Sequence, residues 1–222
     1  MISDITSKGK KMFYRNFLLF VSFMMIMSGT ALFAEAPLIN DYQTLVTKVK
    51  NGDTNVDFKA LRIAYSQTPQ YNPYSEDENM PLMLQALNDK AYPKALEYAR
   101  KINEKNFTDL DAHFGARMAC REMGDKVCYD SHHATLANLI DSIMNSGDGT
   151  TPESALQVIT TREEYIILKV LNLQPKQQKL QQINDKAYDV FEVSDSRNNE
   201  TFALFFDVTL PYNWLNESLK KK

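Results

Sequence analysis

Between positions 113 and 133 stand the side chains best suited to bond, ligate or move protons: His113, Cys120, Cys128, His132 and His133. Cys120 and Cys128 lie four residues either side of Gly124. If Gly124 marks the tip of a helical hairpin, equal distances from the turn bring the two cysteines face to face. Disulfide geometry needs Cα atoms within roughly 7 Å, which this arrangement permits. A pair of buried thiols is the competing reading. A third is a metal site. His113 and Cys120 are seven apart on one helix, and Cys128 and His132 four apart on the next. Two cysteines and two histidines are a ligand set zinc favours. The spacing matches no recognised zinc pattern, however, and oxidised cysteines cannot ligate, so no metal or cofactor is expected. Adjacent helical residues such as His132 and His133 point about 100° apart. One should pack between helices and the other face solvent.

A second constellation lies upstream, in "LRIAYSQTPQYNPY" (61–74). It offers Arg62, Tyr65, Tyr71, Asn72 and Tyr74. Tyrosine presents an apolar ring with a polar tip, and arginine grips carboxylates with a planar fork. That combination suits a protein or peptide surface. The alternative is a tyrosine-rich loop packed over a helical layer, with Arg62 hydrogen-bonded to loop carbonyls. His113 and His132 join this set as candidate binding residues.

No Ser-His-Asp set, G-x-S-x-G, H-E-x-x-H or phosphate-binding loop is legible. "SGDGT" (146–150) could hold calcium or phosphate. It lacks the spaced carboxylates of a calcium loop, and a helix end with glycine turns explains it as well.

The elements that must position these residues are helical at first. "LINDYQTLVTKVK" (38–50) carries apolar residues at helical spacing, and Asn51-Gly52 stops it. Asp57 caps "FKALRIAY", which ends before Thr68-Pro69. Residues 67–80 then form a loop, and Pro81 opens another helix. Three helices with short turns follow. The first is about Tyr92–Lys105, Thr108 with Asp111 caps the second, and Gly124-Asp125 joins the second to the third. Ala95 and Tyr129 stand 34 apart at similar places after tight turns, the period of tetratricopeptide-type (TPR-like) hairpins. An ordinary helical bundle is the alternative.

The texture changes after residue 150. "ALQVI" (155–159) reads as a strand, and "TREEYIILKVL" as a helix with Thr161 and Glu164 in capping-box spacing. In Thr201–Val208, Phe202, Leu204, Phe206 and Val208 alternate with their neighbours, a strand with an apolar face. Asn198-Asn199 supplies its hairpin turn. Such a hairpin is unstable alone and must pack on the helices, with Trp214 closing one edge.

The start of the chain has the texture of a leader. Lys8, Lys10, Lys11 and Arg15 precede an uncharged run, Asn16–Ala34, whose densest part is "FLLFVSFMMIM". Small residues suited to cleavage follow, with Ala31, Ala34 and Ala36 as alternative cut positions. Met12 is a second start that would leave a more ordinary leader. An uncleaved anchor is the competing reading. Removing residues 1–36 leaves 186 residues and takes the net charge from −3 to −5. An acidic chain without a basic cluster is a poor nucleic-acid binder.

Several stretches together resemble one bacterial family of exported proteins, domain of unknown function family 4919. They are "DFKALRIAYSQTPQYNPY", "KALEYARKI" followed by "LDAHFGARMA", "SGDGTTPESALQVITTREEYIILKVL" and "YDVFEVSDSRNNETFALFFDV". They fall in order across nearly all of the chain beyond residue 36. The resemblance implies export and an α+β fold and carries no activity with it. It implies a histidine where His132 stands and no cysteines at 120 and 128. Anything built on that pair is then particular to this chain.

The sequence therefore predicts a signal peptide (1–36), a helical TPR-like part (37–150) and an α+β part with a β-hairpin (151–222), the last two packed as one unit. The fold class is α+β, a helical-hairpin bundle packed with a small antiparallel sheet. The expected role is a non-enzymatic protein- or peptide-binding module of the periplasm or exterior, with no nucleic acid and no membrane as partner once the leader is gone. The alternative is an exported hydrolase using His113 or His132 as acid/base near the tyrosine-rich loop. A third reading is a structural envelope factor or a secreted factor acting on a host.

Overall fold

A computed structural model describes residues 38–220, and the expected leader lies outside them. The first six elements are helices: α1 (Leu38–Lys50), α2 (Phe58–Ser66), α3 (Asn79–Asn88), α4 (Tyr92–Lys105), α5 (Leu110–Glu122) and α6 (Lys126–Met144). The starts of α2, α5 and α6 follow from aspartates that satisfy free N–H groups. Asp57 accepts from Ala60 N at 2.9 Å and Asp125 from Cys128 N at 3.0 Å. The cap of α5 is Asp109, which accepts from Ala112 N at 2.9 Å, rather than Thr108. Thr108 is held one residue back because Asn106 Oδ1 takes both its N–H and its hydroxyl, at 2.9 and 2.7 Å.

From α3 to α6 each helix packs on the next across a short turn. Small residues let the backbones approach: Ala95 and Ala99 on α4, and Ala112, Ala116 and Ala119 on α5, are all buried. At Gly115 a Cβ would lie 2.5 Å from Met83 Sδ, so any side chain there would make the buried Met83 of α3 move.

The second half comprises β1 (Leu156–Gln157), α7 (Thr161–Val170), β2 (Leu173–Ile183), β3 (Lys186–Asp195), β4 (Thr201–Asp207) and α8 (Thr209–Lys220). The strands form one sheet in the order β1-β4-β3-β2. β2 with β3 and β3 with β4 are antiparallel, but β1 joins β4 in parallel, so the sheet is mixed rather than purely antiparallel. The β3–β4 turn uses Asn199 at φ 61°, as its tolerance of the left-handed region allows. The cap of α7 is Thr160, which accepts from Glu163 N at 3.3 Å, one residue before the expected Thr161.

Leu139 and Ile143 of α6, Ile167 of α7, and Phe191 and Phe206 of the sheet share one core. Phe202 does not join it and is 41 % exposed. A second core fills the α3–α6 bundle. A third gathers Tyr42, Leu61, Tyr65, Tyr71, Phe107 and Ile159, with Trp214 of α8 packed against it. Trp214 thus covers the tyrosine-rich loop instead of closing a sheet edge. Among the described residues no helix is long and apolar enough to cross a membrane.

Candidate functional site

Arg62 sits on the inner side of α2 and is 1 % exposed. Its Nε and Nη2 donate to Glu163 Oε1 and Oε2 at 3.1 and 2.6 Å, and Nη2 also donates to Gln157 O at 3.0 Å. The expectation that Arg62 faces a partner is corrected here. Its fork is closed on a carboxylate of its own chain, because Leu61, Ala64 and Tyr65 turn this part of α2 into the core. Glu163 Oε2 in turn accepts from Ile159 N at 2.8 Å, and Tyr71 donates its hydroxyl to Ile159 O at 2.5 Å. Arg62 and Tyr71 together tie α2 and the 67–78 loop to the corner between β1 and α7.

The tyrosines are stacked edge to face behind this corner. Tyr65 meets Tyr71 at 5.8 Å between ring centroids, and Tyr71 meets Trp214 at 6.5 Å. Tyr74 lies at the rim, half exposed, 6.2 Å from Trp214. Of the stretch 61–74, Tyr65, Gln70, Asn72 and Pro73 line a cleft of about 350 Å³. Tyr71 is buried beneath it.

The cleft runs between the 67–78 loop, the 105–111 segment and the start of α7. Arg162 spans it, donating Nε to Asp111 and Nη1 to Glu76, both at 2.6 Å. Lys105 pairs with Asp77 at 2.9 Å. Among the described residues Asp109 has no such cation in contact. Burial pushes its carboxyl up to about 6, and Asp111 adds to this, against the opposing pull of the Ala112 N–H and of Arg162. The lining carries five carboxylates (Glu76, Asp77, Asp109, Asp111, Glu163) against two cations (Lys105, Arg162). Even with Arg62 counted, negative charge is in excess. Such a cleft can accept a cationic group at Asp109 and align it by the flanking ion pairs.

His113 and His132 do not reach this cleft. They line a separate cavity of about 330 Å³ with Arg100, Asn103 and Phe107 among its walls. His113 Nε2 lies 2.8 Å from Phe107 O, and its Nδ1 lies 2.9 Å from His132 Nδ1. Burial holds the His113 imidazole down to about 3, and burial also lowers His132. The acid/base arrangement that would join a histidine to the tyrosine-rich loop is therefore not formed. His133 is exposed and stacks on Tyr129 at 5.6 Å.

Cys120 and Cys128 are joined, with Cα atoms 5.7 Å apart. They have no thiolate to offer a metal, and among the described residues no three metal-ligating side chains converge. In 146–150, Asp148 accepts from Thr150 N at 2.9 Å and from Ser154 Oγ at 2.5 Å, so the loop satisfies its own carboxylate.

Asp109, Glu163, Arg162 and Asn103 escaped the sequence reading. A signal existed for Glu163 and Glu164. They stand four before Ile167 and Leu168, on the apolar stripe of α7, where a carboxylate has to be buried. Asn103 and Asp109 carry no comparable mark.

Among known proteins, a family model described as "Domain of unknown function (DUF4919)" matches residues 39–216. No curated protein and no solved structure matches the chain.

Proposed function

We propose, from the premise that this chain belongs to the DUF4919 family, that it is an exported binding module which takes a cationic, peptide-like ligand in the cleft beside residues 67–78. The observation that carries this reading is Asp109. It is a carboxylate at the cleft with no salt-bridge partner among the described residues, in a lining where negative charge exceeds positive. A lysine or arginine side chain would supply the missing counter-charge, and Tyr65 and Asn72 would border its stem and backbone. Export is supported by the apolar run and small residues of 16–36 and by the joined cysteines, which fit an oxidising compartment. The hydrolase alternative loses its support because both candidate histidines line a different cavity.

Calorimetric titration of the full chain with Gly-Lys-Gly and Gly-Glu-Gly tests the reading. The lysine peptide binds and the glutamate peptide does not. Asp109→Asn keeps a good helix cap while removing the charge, and lowers affinity at least tenfold, about 1.4 kcal/mol. Affinity rises from pH 5 to pH 7, as Asp109 loses its proton near 6. Equal binding of the two peptides, or an Asp109→Asn variant that binds as the parent does, overturns the proposal.

A further inference from the structure

The histidine-lined cavity holds polar groups that nothing in the core accounts for. Asn103 is 8 % exposed, and neither its Nδ2 nor its Oδ1 has a hydrogen-bond partner among the described residues. A buried carboxamide left unmatched costs stability, whereas leucine would fit a helix interior at this point without that cost. A ligand that accepts from Nδ2 would remove the donor half of that cost.

The two rings beside it are fixed by a backbone carbonyl. Phe107 O can only accept, so His113 Nε2 carries a hydrogen and donates. His113 is neutral, so its Nδ1 accepts, and the hydrogen between the rings belongs to His132 Nδ1. His132 Nε2 makes no hydrogen bond among the described residues. Arg100 and Lys50 also line the cavity, and neither has a carboxylate partner there; Lys50 Nζ lies 5.5 Å from the centre of the Phe107 ring. Arg100 is close enough to disfavour a proton on His132. Glu104 is the single acidic residue of the lining. Positive charge and an unmatched amide donor therefore converge on a cavity large enough for a small molecule.

We propose that this second cavity binds a small anion, a carboxylate or a phosphate group, held by the Asn103 Nδ2–H donors and the Arg100 guanidinium, with Lys50 as flanking charge. Arginine's fork matches both oxyanion geometries, and Asn103 supplies a neutral donor at the buried end. The site is independent of the cation-accepting cleft, since the two linings share no residue.

Titration of the full chain with sodium phosphate and with sodium acetate, at ionic strength held constant with chloride, tests this by NMR. The Asn103 side-chain amide and the His132 ring signals shift and saturate with at least one of the two anions. Saturation by acetate alone identifies a carboxylate ligand, and tighter binding of phosphate a phosphorylated one. Arg100→Gln, an exposed change, weakens binding at least tenfold. Asn103→Leu does the same while raising the melting temperature, which a merely structural asparagine would not do. Asp109→Asn leaves anion binding unchanged, which separates this site from the cleft. Shifts that grow linearly and match those of chloride alone overturn the proposal. So does an Arg100→Gln variant with parental affinity.

Discussion

Arg62 and Glu163 are opposite charges taken out of water together, with side chains 1 % and 5 % exposed. Their mutual hydrogen bonds offset a desolvation cost that neither could bear alone. Arg62→Ala, which strands Glu163, should lower stability by about 3–5 kcal/mol in urea unfolding. Arg62→Lys should recover only part of this, because an ammonium cannot replace the planar fork. A loss well under 1 kcal/mol would show that the pair does not hold the corner. Glu164 beside it is a different case. It is fully buried, its carboxyl oxygens have no partner among the described residues, and burial with Asp189 and Glu163 nearby pushes it up to about 9. The folded chain keeps this proton to about pH 9, while the unfolded chain releases it near the usual value of 4.5. The folded state thus binds more protons across that window, and stability should fall as pH rises from 5 to 9. Glu164→Gln, permanently neutral and of the same shape, should flatten that slope. An unchanged slope would assign the pH dependence to other groups. Residue chemistry was only partly legible in advance. Arg62, Tyr65, Tyr71 and Asn72 were singled out by type, but whether a side chain faces the core or a cleft depends on long-range partners such as Glu163, which is 101 positions away.

At the scale of elements, hydrophobic period and turn residues revealed the helices well. α1 and α4 match the expected bounds, and Gly124-Asp125 joins α5 to α6 as expected. β2 was invisible because "LQPKQQKLQQI" has no alternation: residues 174–182 are all exposed, so both faces and the outer edge meet water, and only Leu173 is buried. Pro175 marks the place where its pairing with β3 slips, a position that tolerates a missing N–H. The two-residue turn that pairs it to β3, Asn184-Asp185, has positive φ at both residues, 49° and 63°, the signature of a tight hairpin that the sequence does carry. α8 was missed too; its Pro211 stands in the first turn, where a helix accepts it. The α5–α6 hairpin was legible because equal spacing about a glycine is a purely local property. Its Cys120–Cys128 bond spans a sequence separation of 8, so by the chain-entropy account it stabilises by about 2–3 kcal/mol. A reducing agent should therefore lower the melting temperature of the parent and leave a Cys120→Ser/Cys128→Ser variant unmoved. A parent indifferent to reductant would mean that the bond constrains nothing the fold needs.

Across the whole molecule, the helical bundle and the mixed sheet are joined through the core that α6 shares with the sheet and through the corner that Arg62, Tyr71 and Glu163 hold, and the cleft lies against that corner. The stretch 61–74 is both things its residues suggested: Arg62, Tyr65 and Tyr71 make the packed interior, while the exposed Asn72 borders the cleft. The same loop that is stapled to the core thus presents a rigid edge, which would lower the entropic cost of capturing the proposed ligand. The fold also separates two polar cavities on different sides of the 105–113 segment, with acidic excess in one and basic excess in the other. No reading of spacing could have divided them, because Asp109 and His113 stand one helical turn apart. The most direct test of the binding account is a backbone-amide NMR titration of the full chain with Gly-Lys-Gly at pH 7. Saturating shifts confined to Asn72, Asp109, Asp111 and Thr160, absent with Gly-Glu-Gly, are the predicted result. Shifts that fail to saturate, or that are the same for both peptides, would contradict it.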